Sequence, residues 1–147
     1  MQYLGLDVGS KTIGIASGQG IISFSKTTII FPEYDWENAI QQLLKFTNNV
    51  DVIIIGHPLN MNGTKSKTTL MIEEFTSLLK EVTAIKIIFW DERLTSKSAN
   101  QIMLDADISR KKRKINKDKL AAQLILQNYF DYLQAKNNHF NQSKPML

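Results

Sequence analysis

Residues 3–16 of the chain read Tyr3-Leu4-Gly5-Leu6-Asp7-Val8-Gly9-Ser10-Lys11-Thr12-Ile13-Gly14-Ile15-Ala16. Two apolar, partly β-branched runs flank the turn residues Gly9-Ser10-Lys11, and this pattern predicts a β-hairpin. The acid in the first run, Asp7, is costly to bury unless a cationic side chain, backbone N–H groups or a metal ion meets it. The hairpin therefore marks both the start of a sheet and a candidate site.

The residues after the hairpin alternate between strand and helix patterns. Apolar periodicity predicts strands over Phe24–Phe31, Val52–Ile55 and Ile85–Trp90, and helices from cap Asp35 to Asn49, over Thr68–Val82, over Ser96–Ala106 and from Asn116 or Asp118 to about Leu133. Helices between strands favour parallel pairing with right-handed crossovers. We therefore predict an α/β fold with a five-stranded mixed sheet, three antiparallel strands then two parallel, and helices on both faces.

Length and composition describe one ordinary globular domain. The chain has 147 residues, of which 43% are hydrophobic and 22% charged, so we predict a single domain over residues 1–136 and a flexible tail over 137–147. No apolar run is long enough to cross a bilayer, and no basic-then-apolar leader opens the chain. The absence of cysteine excludes disulfides and thiolate metal sites, and it fits a cytoplasmic protein without a membrane partner.

Positive charge is concentrated in residues 109–119. This segment has seven basic side chains and one acid, a net +6, whereas the whole chain has a net charge of +4, so the remainder carries 4 − 6 = −2. A local concentration of this kind predicts contact with a polyanion such as nucleic acid. A solvated, disordered loop is the alternative interpretation.

Three acids from separate elements are candidate site residues, and each has a structural alternative. Asp7 could accept backbone N–H bonds at a strand end, and Asp118 could be a helix N-cap. Glu92 follows a predicted strand within Asp91-Glu92-Arg93, which could be a solvated turn with Arg93 paired to an acid. One of Asp91 and Glu92 points into the site and the other away, and the residues alone leave that choice open.

Taken together, the three carboxylates predict a metal site. Oxygen ligands without cysteine or clustered histidine suit one or two Mg²⁺ or Mn²⁺ ions, and two ions about 3.5–4 Å apart can clamp an in-line phosphoryl displacement. Carboxylates that could bind metal, next to basic side chains that could bind phosphate, predict a phosphodiesterase. A lone histidine beside a proline, such as His57 beside Pro58, is more often a packing residue. The predicted nucleic-acid-binding residues are Lys11, Lys65, Lys67, Arg93, Arg110, Lys111, Lys112, Arg113, Lys114 and Lys117.

Four ordered motifs resemble the YqgF family of RNase H-like proteins, which are described as Holliday-junction resolvases or pre-16S rRNA nucleases. The resemblance covers about Tyr3 to Phe130. It implies an RNase H-like fold and makes Asp7, Glu92 and Asp118 the catalytic and metal-binding acids, with Glu92 preferred over Asp91. Two residues depart from the family pattern, since His57 stands where leucine is common and Ser10 where threonine is usual. The motifs are residues 6–16, Ile55-Gly56-His57-Pro58-Leu59-Asn60-Met61-Asn62-Gly63, Asp91-Glu92-Arg93-Leu94-Thr95, and Lys117-Asp118-Lys119-Leu120-Ala121-Ala122 with Leu126.

The function expected from residues and resemblance is metal-dependent endonucleolytic cleavage of structured nucleic acid, with the 5′ end of precursor 16S rRNA as the favoured substrate. Branched DNA is the alternative, and a resolvase acting on a four-way junction normally needs two active sites related by two-fold symmetry. A binding module without catalysis is a second alternative, and an actin-like nucleotide phosphatase ranks low because the chain is short for two lobes. We expect a monomer or a weak homodimer.

Overall fold

The computed structural model describes the backbone of residues 1–94 and 110–143, and the side chains of residues 1–94 and 119–138. One sheet of order β3-β2-β1-β4-β5 forms the centre of the fold. Strands β1, β2 and β3 pair antiparallel, while β4 and β5 run parallel to β1. This arrangement confirms the predicted mixed sheet. The strands are β1 (Tyr3–Val8), β2 (Thr12–Gly18), β3 (Ser23–Ile30), β4 (Val52–His57) and β5 (Lys86–Asp91).

The first hairpin forms as its sequence predicts. Gly9 donates its backbone N–H to the carbonyl of Thr12 at 2.8 Å, which closes the turn. Asp7 consequently lies opposite Gly14, and Leu6 lies opposite Ile55 of β4. These registers place the carboxyl ends of the parallel strands at one edge of the sheet, where sites form in folds of this type.

Two helices cover one face of the sheet, α1 (Trp36–Leu44) and α2 (Lys67–Val82). Asp35 caps α1 by accepting the N–H of Asn38, and Ser66 forms a capping box with Thr69 at the start of α2. The apolar faces of both helices bury the same side of the strands. The core on this side includes Leu4, Leu6, Ile13, Ile15, Trp36, Ile53, Ile55, Phe75 and Leu79.

A long third helix, α3 (Arg110–Ser143), packs on the opposite face. Its buried residues Ala122, Ile125, Leu126 and Phe130 join a second core with Ala16, Val52, Ile54 and Trp90. Helices therefore lie on both faces, as predicted, and both tryptophans are core residues. Within the described ranges, no helix is long and apolar enough to cross a membrane.

Glycines let α3 lie close to the strands. A Cβ on Gly5 would be 2.7 Å from Cβ of Leu126, one on Gly18 would be 2.7 Å from the ring of Phe130, and one on Gly56 would be 2.6 Å from Cδ1 of Ile125. Gly18 lies opposite Tyr3 at the start of β1, and Gly5 lies two residues further along. Because Phe130 contacts the first position and Leu126 the second, α3 runs antiparallel to β1.

The start of the last helix differs from the prediction. Residues 110–117 belong to α3, so the predicted basic loop is helical and neither Asn116 nor Asp118 is an N-cap. The physical reason is that lysine and arginine are good helix formers and that neither glycine nor proline interrupts residues 110–143. The helix also continues to Ser143 into the expected tail, whose flexibility stays a prediction, and the helix expected over Ser96–Ala106 lies outside the described residues.

The docking of α3 can be tested by truncating Leu126, which is fully buried. We expect Leu126→Ala to lower the free energy of unfolding by about 2–5 kcal/mol, because it removes buried methyl groups and leaves a cavity. The matched control is Leu70→Ala on α2, where the side chain is 55% exposed and the effect should be small. Urea denaturation monitored by circular dichroism measures the free energy of unfolding of both variants. Equally small losses of stability in the two variants would contradict the docking of α3.

Candidate active site

Asp7 lies near the carboxyl end of β1, between two glycines. Gly14 of β2 is its direct partner, and the pairing of Leu6 with Ile55 puts Gly56 of β4 level with it on the other side. Since Leu6 and Val8 belong to the α1–α2 core, alternation along the strand directs Asp7 to the α3 side of the sheet. The acid is partly exposed there.

Glu92 reaches the same region from the end of β5. It opens a short 3₁₀ turn, Glu92–Leu94, and its Oε1 lies 3.1 Å from the position that a Cβ on Gly56 would occupy. That Cβ would also meet Ile125 of α3, so the Glu92 carboxyl is on the α3 side. Burial raises the pKa of this carboxyl, the charge of Asp91 raises it further, and His57 opposes both.

Asp91 points away from this region. It ends β5 opposite His57, and it accepts hydrogen bonds from the Arg93 guanidinium, with Nη2–Oδ2 at 2.7 Å and Nε–Oδ1 at 3.0 Å. These hydrogen bonds hold the pKa of the Asp91 carboxyl below its usual range. Of the two adjacent acids, Glu92 is therefore the one on the same side of the sheet as Asp7, as the family resemblance implied.

Two of the predicted nucleic-acid-binding cations are paired with acids. Arg93 is bound to Asp91, and Lys65 forms an ion pair with Glu73 of α2 at 2.9 Å. Glu73 also contacts Nε2 of His57 at 3.1 Å, and the hydrogen bonds from Lys65 and then His57 lower the pKa of Glu73. Sequence reasoning did not single out Glu73, because its partners are 8 and 16 residues away and no local spacing indicates the contact.

The remaining predicted cations are placed as follows. Lys11 is exposed in the β1–β2 turn, and Lys67 is exposed at the first position of α2. Neither forms an ion pair within the part of the chain whose side chains are described. His57 stacks on Phe89 with ring centroids 4.4 Å apart, which agrees with its interpretation as a packing residue. The others lie in the first turns of α3, where only the backbone is described: Arg110, Lys111, Lys112, Arg113, Lys114 and Lys117.

Asp118 belongs to α3, one helical turn before Ala122. The carbonyl oxygen of Ala122 lies 3.1 Å from a Cβ placed on Gly5. Because α3 runs antiparallel to β1, the preceding turn of about 5.4 Å brings the backbone of residue 118 to the level of Asp7. Among the described side chains, no three of the types His, Cys, Asp and Glu are grouped to hold a metal ion, and Asp118 is not one of those side chains.

Comparison with known proteins identifies the family. A family model described as RuvX, Holliday junction resolvase, matches residues 1–132. Two relatives are named "Putative pre-16S rRNA nuclease". The one from Shouchella clausii is 42% identical over 138 residues, covering 89% of this chain and 95% of the relative. The one from Clostridium botulinum is 44% identical over 140 residues, covering 90% and 98%.

Solved structures agree with the fold. RuvC of Thermus thermophilus in complex with a Holliday junction substrate has a TM-score of 0.61 at 8% identity, covering 92% of this chain and 96% of RuvC. The fowlpox virus Holliday junction resolvase has a TM-score of 0.57 at 16% identity, covering 90% and 99%. These likenesses confirm the RNase H-like fold. Together with the family model and the relatives, they support the resemblance found in the four motifs, and the chain belongs to the RuvX family.

Proposed function

We propose that this protein is a divalent-metal-dependent endonuclease of the cytoplasm that cleaves phosphodiester bonds at the 5′ end of precursor 16S rRNA. The observation that carries the proposal is that Asp7 lies level with Gly56 and the Glu92 carboxyl lies over Gly56, both on the α3 side of the carboxyl edge of the sheet. We propose Asp118 of α3 as the third acid, since the backbone of residue 118 lies at the level of Asp7. Membership of a family described as resolvases, and relatives named as rRNA nucleases, support hydrolysis of nucleic acid.

The donor set fits a hard cation. Asp7, Glu92 and Asp118 offer carboxylate oxygens, which suit Mg²⁺ or Mn²⁺. Glu92 is partly buried next to a second acid, Asp91, and both conditions raise its pKa. A cation held between Glu92 and Asp7 would offset that unfavourable environment. When bound, one or two such ions supply positive charge that stabilises the negative charge developing on the scissile phosphate.

The protein's own contribution is the fixed position of its carboxylates. Asp7 is held by a central strand that pairs on both sides, and the Glu92 carboxyl lies over Gly56, a position that Ile125 of α3 also borders. Fixed groups in a partly dry environment need no reorganisation when charge develops, which is the usual source of electrostatic catalysis. Lys11 is exposed at the same edge, which supports its proposed contact with a phosphate beside the acids.

Two other functions are the alternatives, namely cleavage of branched DNA and binding of nucleic acid without catalysis. Cleavage of a four-way DNA junction uses the same acids and is favoured by the family description. A binding module without catalysis leaves the partial burial of Glu92 unexplained. If this side chain had only a structural role, an amide or an apolar residue at position 92 would make the protein more stable.

We expect Asp7→Asn, Glu92→Gln and Asp118→Asn each to lower kcat at least about 100-fold, because each removes a charged ligand from the reacting phosphate's site. The assay uses a labelled 16S rRNA 5′ precursor and a four-way DNA junction, each with Mg²⁺ or Mn²⁺. The matched control is Glu74→Gln, since Glu74 is exposed on α2.

The outcomes of this assay separate the three functions. Cleavage of the RNA alone supports the proposal, whereas cleavage of the junction alone makes the protein a resolvase. Full activity of folded Asp7→Asn would overturn the assignment of the site. Binding of either nucleic acid without cleavage by the wild-type protein, and without any effect of a chelator, would support the binding module.

Glu92→Gln should also make the protein more stable at neutral pH. The pKa of Glu92 is raised in the folded state, so the folded protein binds this proton more tightly than the unfolded chain. Stability is therefore reduced as pH rises from the usual glutamate pKa through the raised one. We expect Glu92→Gln to have a higher Tm than wild type at pH 7 without metal, and the difference to vanish at low pH. A lower Tm at pH 7 would contradict the burial of the charge.

The basic residues at the start of α3 should govern salt dependence. If Arg110 to Lys114 contact about five phosphates, log affinity should fall with log salt at a slope of roughly −3.5 to −4.5. Replacing all five with glutamine should flatten the slope, as measured by fluorescence anisotropy with labelled RNA. The control is Lys80→Gln with Lys86→Gln, both exposed and away from the site edge. An unchanged slope in the α3 variant would exclude this segment as the binding surface.

A further inference from the structure

We propose that the Asp91–Arg93 ion pair is a positioning device for Glu92 and that Arg93 does not contact the nucleic-acid backbone. This inference rests on the proposed function, since it assigns Arg93 a role in the same site. It also replaces the sequence-based prediction, in which Arg93 belonged to the phosphate-binding set.

The first support is that the two neighbouring acids lie on opposite faces of the sheet. Asp91 is the last residue of β5, and its carboxylate faces the α2 side together with His57. Glu92 follows directly, and its carboxyl lies over Gly56 on the α3 side, which is the face that strand alternation gives to the residue after Asp91. The 3₁₀ turn that begins at Glu92 must keep its shape for this acid to stay at Gly56.

The second support is the way in which Arg93 closes that turn. Its backbone N–H donates to Oδ1 of Asp91 at 3.0 Å. Its guanidinium donates to the same carboxylate from Nε, at 3.0 and 3.1 Å, and from Nη2, at 2.7 Å. Main chain and side chain of residue 93 are thus both tied to residue 91, and Glu92 lies between the two tied residues. A forked pair of this kind fixes orientation as well as distance.

The third support is a link to the neighbouring loop. Residues 58–66 form a small loop with a bridge between Leu59 and Lys65, closed by a hydrogen bond from Gly63 N–H to the Asn60 carbonyl at 2.8 Å. Nη1 of Arg93 approaches the carbonyl oxygen of Met61 in this loop at 3.4 Å. The guanidinium therefore joins the turn that contains Glu92 to the loop after β4.

Charge leads to the same conclusion. A guanidinium paired with a carboxylate at 2.7 Å forms a unit without net charge, so it adds little to the electrostatic attraction of a phosphate. Side-chain exposure is 32% for Arg93 and 26% for Asp91, so the pair is accessible and a surface ion pair of this type contributes little to stability. Its effect should be on geometry at Glu92.

The test compares Arg93→Lys, Arg93→Gln, Asp91→Asn and the double variant Asp91→Asn/Arg93→Gln. Arg93→Lys keeps the charge and loses the fork. We expect each single variant to lower kcat about 10- to 100-fold, because small displacements of a reacting group have effects of this size. KM and the salt slope of RNA binding should stay near wild type, and Tm should change by no more than about 4 °C. The double variant should be no slower than the slower single variant, because both substitutions break one unit.

A matched control variant accompanies this test, and one set of results would show that Arg93 contacts phosphate instead. Lys86→Gln removes one positive charge from the other end of β5, where the side chain is exposed, and should change neither kcat nor the slope. If instead Arg93→Gln raises KM and reduces the magnitude of the salt slope by about 0.7–0.9, while Asp91→Asn does neither, Arg93 is a phosphate contact and the proposal is wrong.

Hydrogen exchange distinguishes failure of this inference from failure of the proposed function. We expect the backbone amides of residue 93 and Gly63 to exchange faster in Arg93→Lys than in wild type, whether or not the protein cleaves RNA. Unchanged protection of both amides would overturn the positioning role. If these amides exchange faster in the variant but the wild-type protein cleaves no nucleic acid with any divalent ion, the proposed function is wrong. The positioning of Glu92 by the ion pair would still hold in that case.

Discussion

The close approach of α3 to three glycines is the constraint on which the rest of the structure depends. A Cβ at Gly5, Gly18 or Gly56 would come within 2.7 Å of a side-chain atom of α3 or of a neighbouring carbonyl, closer than packed atoms allow. The helix can bury its apolar face on the central strands only because these positions lack side chains. Gly56 has a double role, since the space above it is shared by Ile125 of the core and by Glu92 of the site. The absence of a side chain at Gly56 therefore makes room both for the packing of α3 and for the carboxyl group of the candidate site.

The candidate site lowers the stability of the fold, because the same geometry places its carboxylates at partly buried positions. Asp7 stands in a strand whose neighbours Leu6 and Val8 are buried, and Glu92 is placed where burial raises its pKa. A sheet edge selected for stability alone would carry apolar or amide side chains at such positions. Local departures of this kind are typical of functional sites, where stability is given up for a required arrangement of charge.

Much of the fold could be predicted because hydrophobic periodicity is a local signal. The strands near Ile53 and Ile87 and the helices after Asp35 and Ser66 were predicted to within a few residues. The start of α3 was predicted wrongly because a run of like charges was interpreted as loop, although its residues favour helix when they are solvated. Helical propensity and charge repulsion act in opposite directions in such a run, and the sequence does not show which is larger.

The site was predictable in part, and the limit is again physical. The carboxyl ends of parallel strands meet at one edge, so the proximity of Asp7 and Glu92 followed from topology. The pairing of Lys65 with Glu73 depends on how a loop lies across α2, and no spacing rule contains that information. The choice between Asp91 and Glu92 depends on which face of the sheet Asp91 takes at the end of β5, and the sequence alone does not fix that face. Only the family resemblance favoured Glu92.

These pairings change how positive charge is distributed around the carboxyl edge of the sheet. Arg93 and Lys65 are paired with acids on the α2 side of the edge, so they add little net positive charge there. Lys11 is exposed at the same edge, and six further basic residues precede Asp118 in the first turns of α3. Residue 110 lies twelve residues, or about 18 Å of helix, before Ala122, whereas β1 continues only three residues, or about 10 Å, beyond Gly5. The basic end of α3 thus extends past the sheet on the side of Asp7 and Glu92, and this is the arrangement that the proposed contact with a phosphate backbone requires.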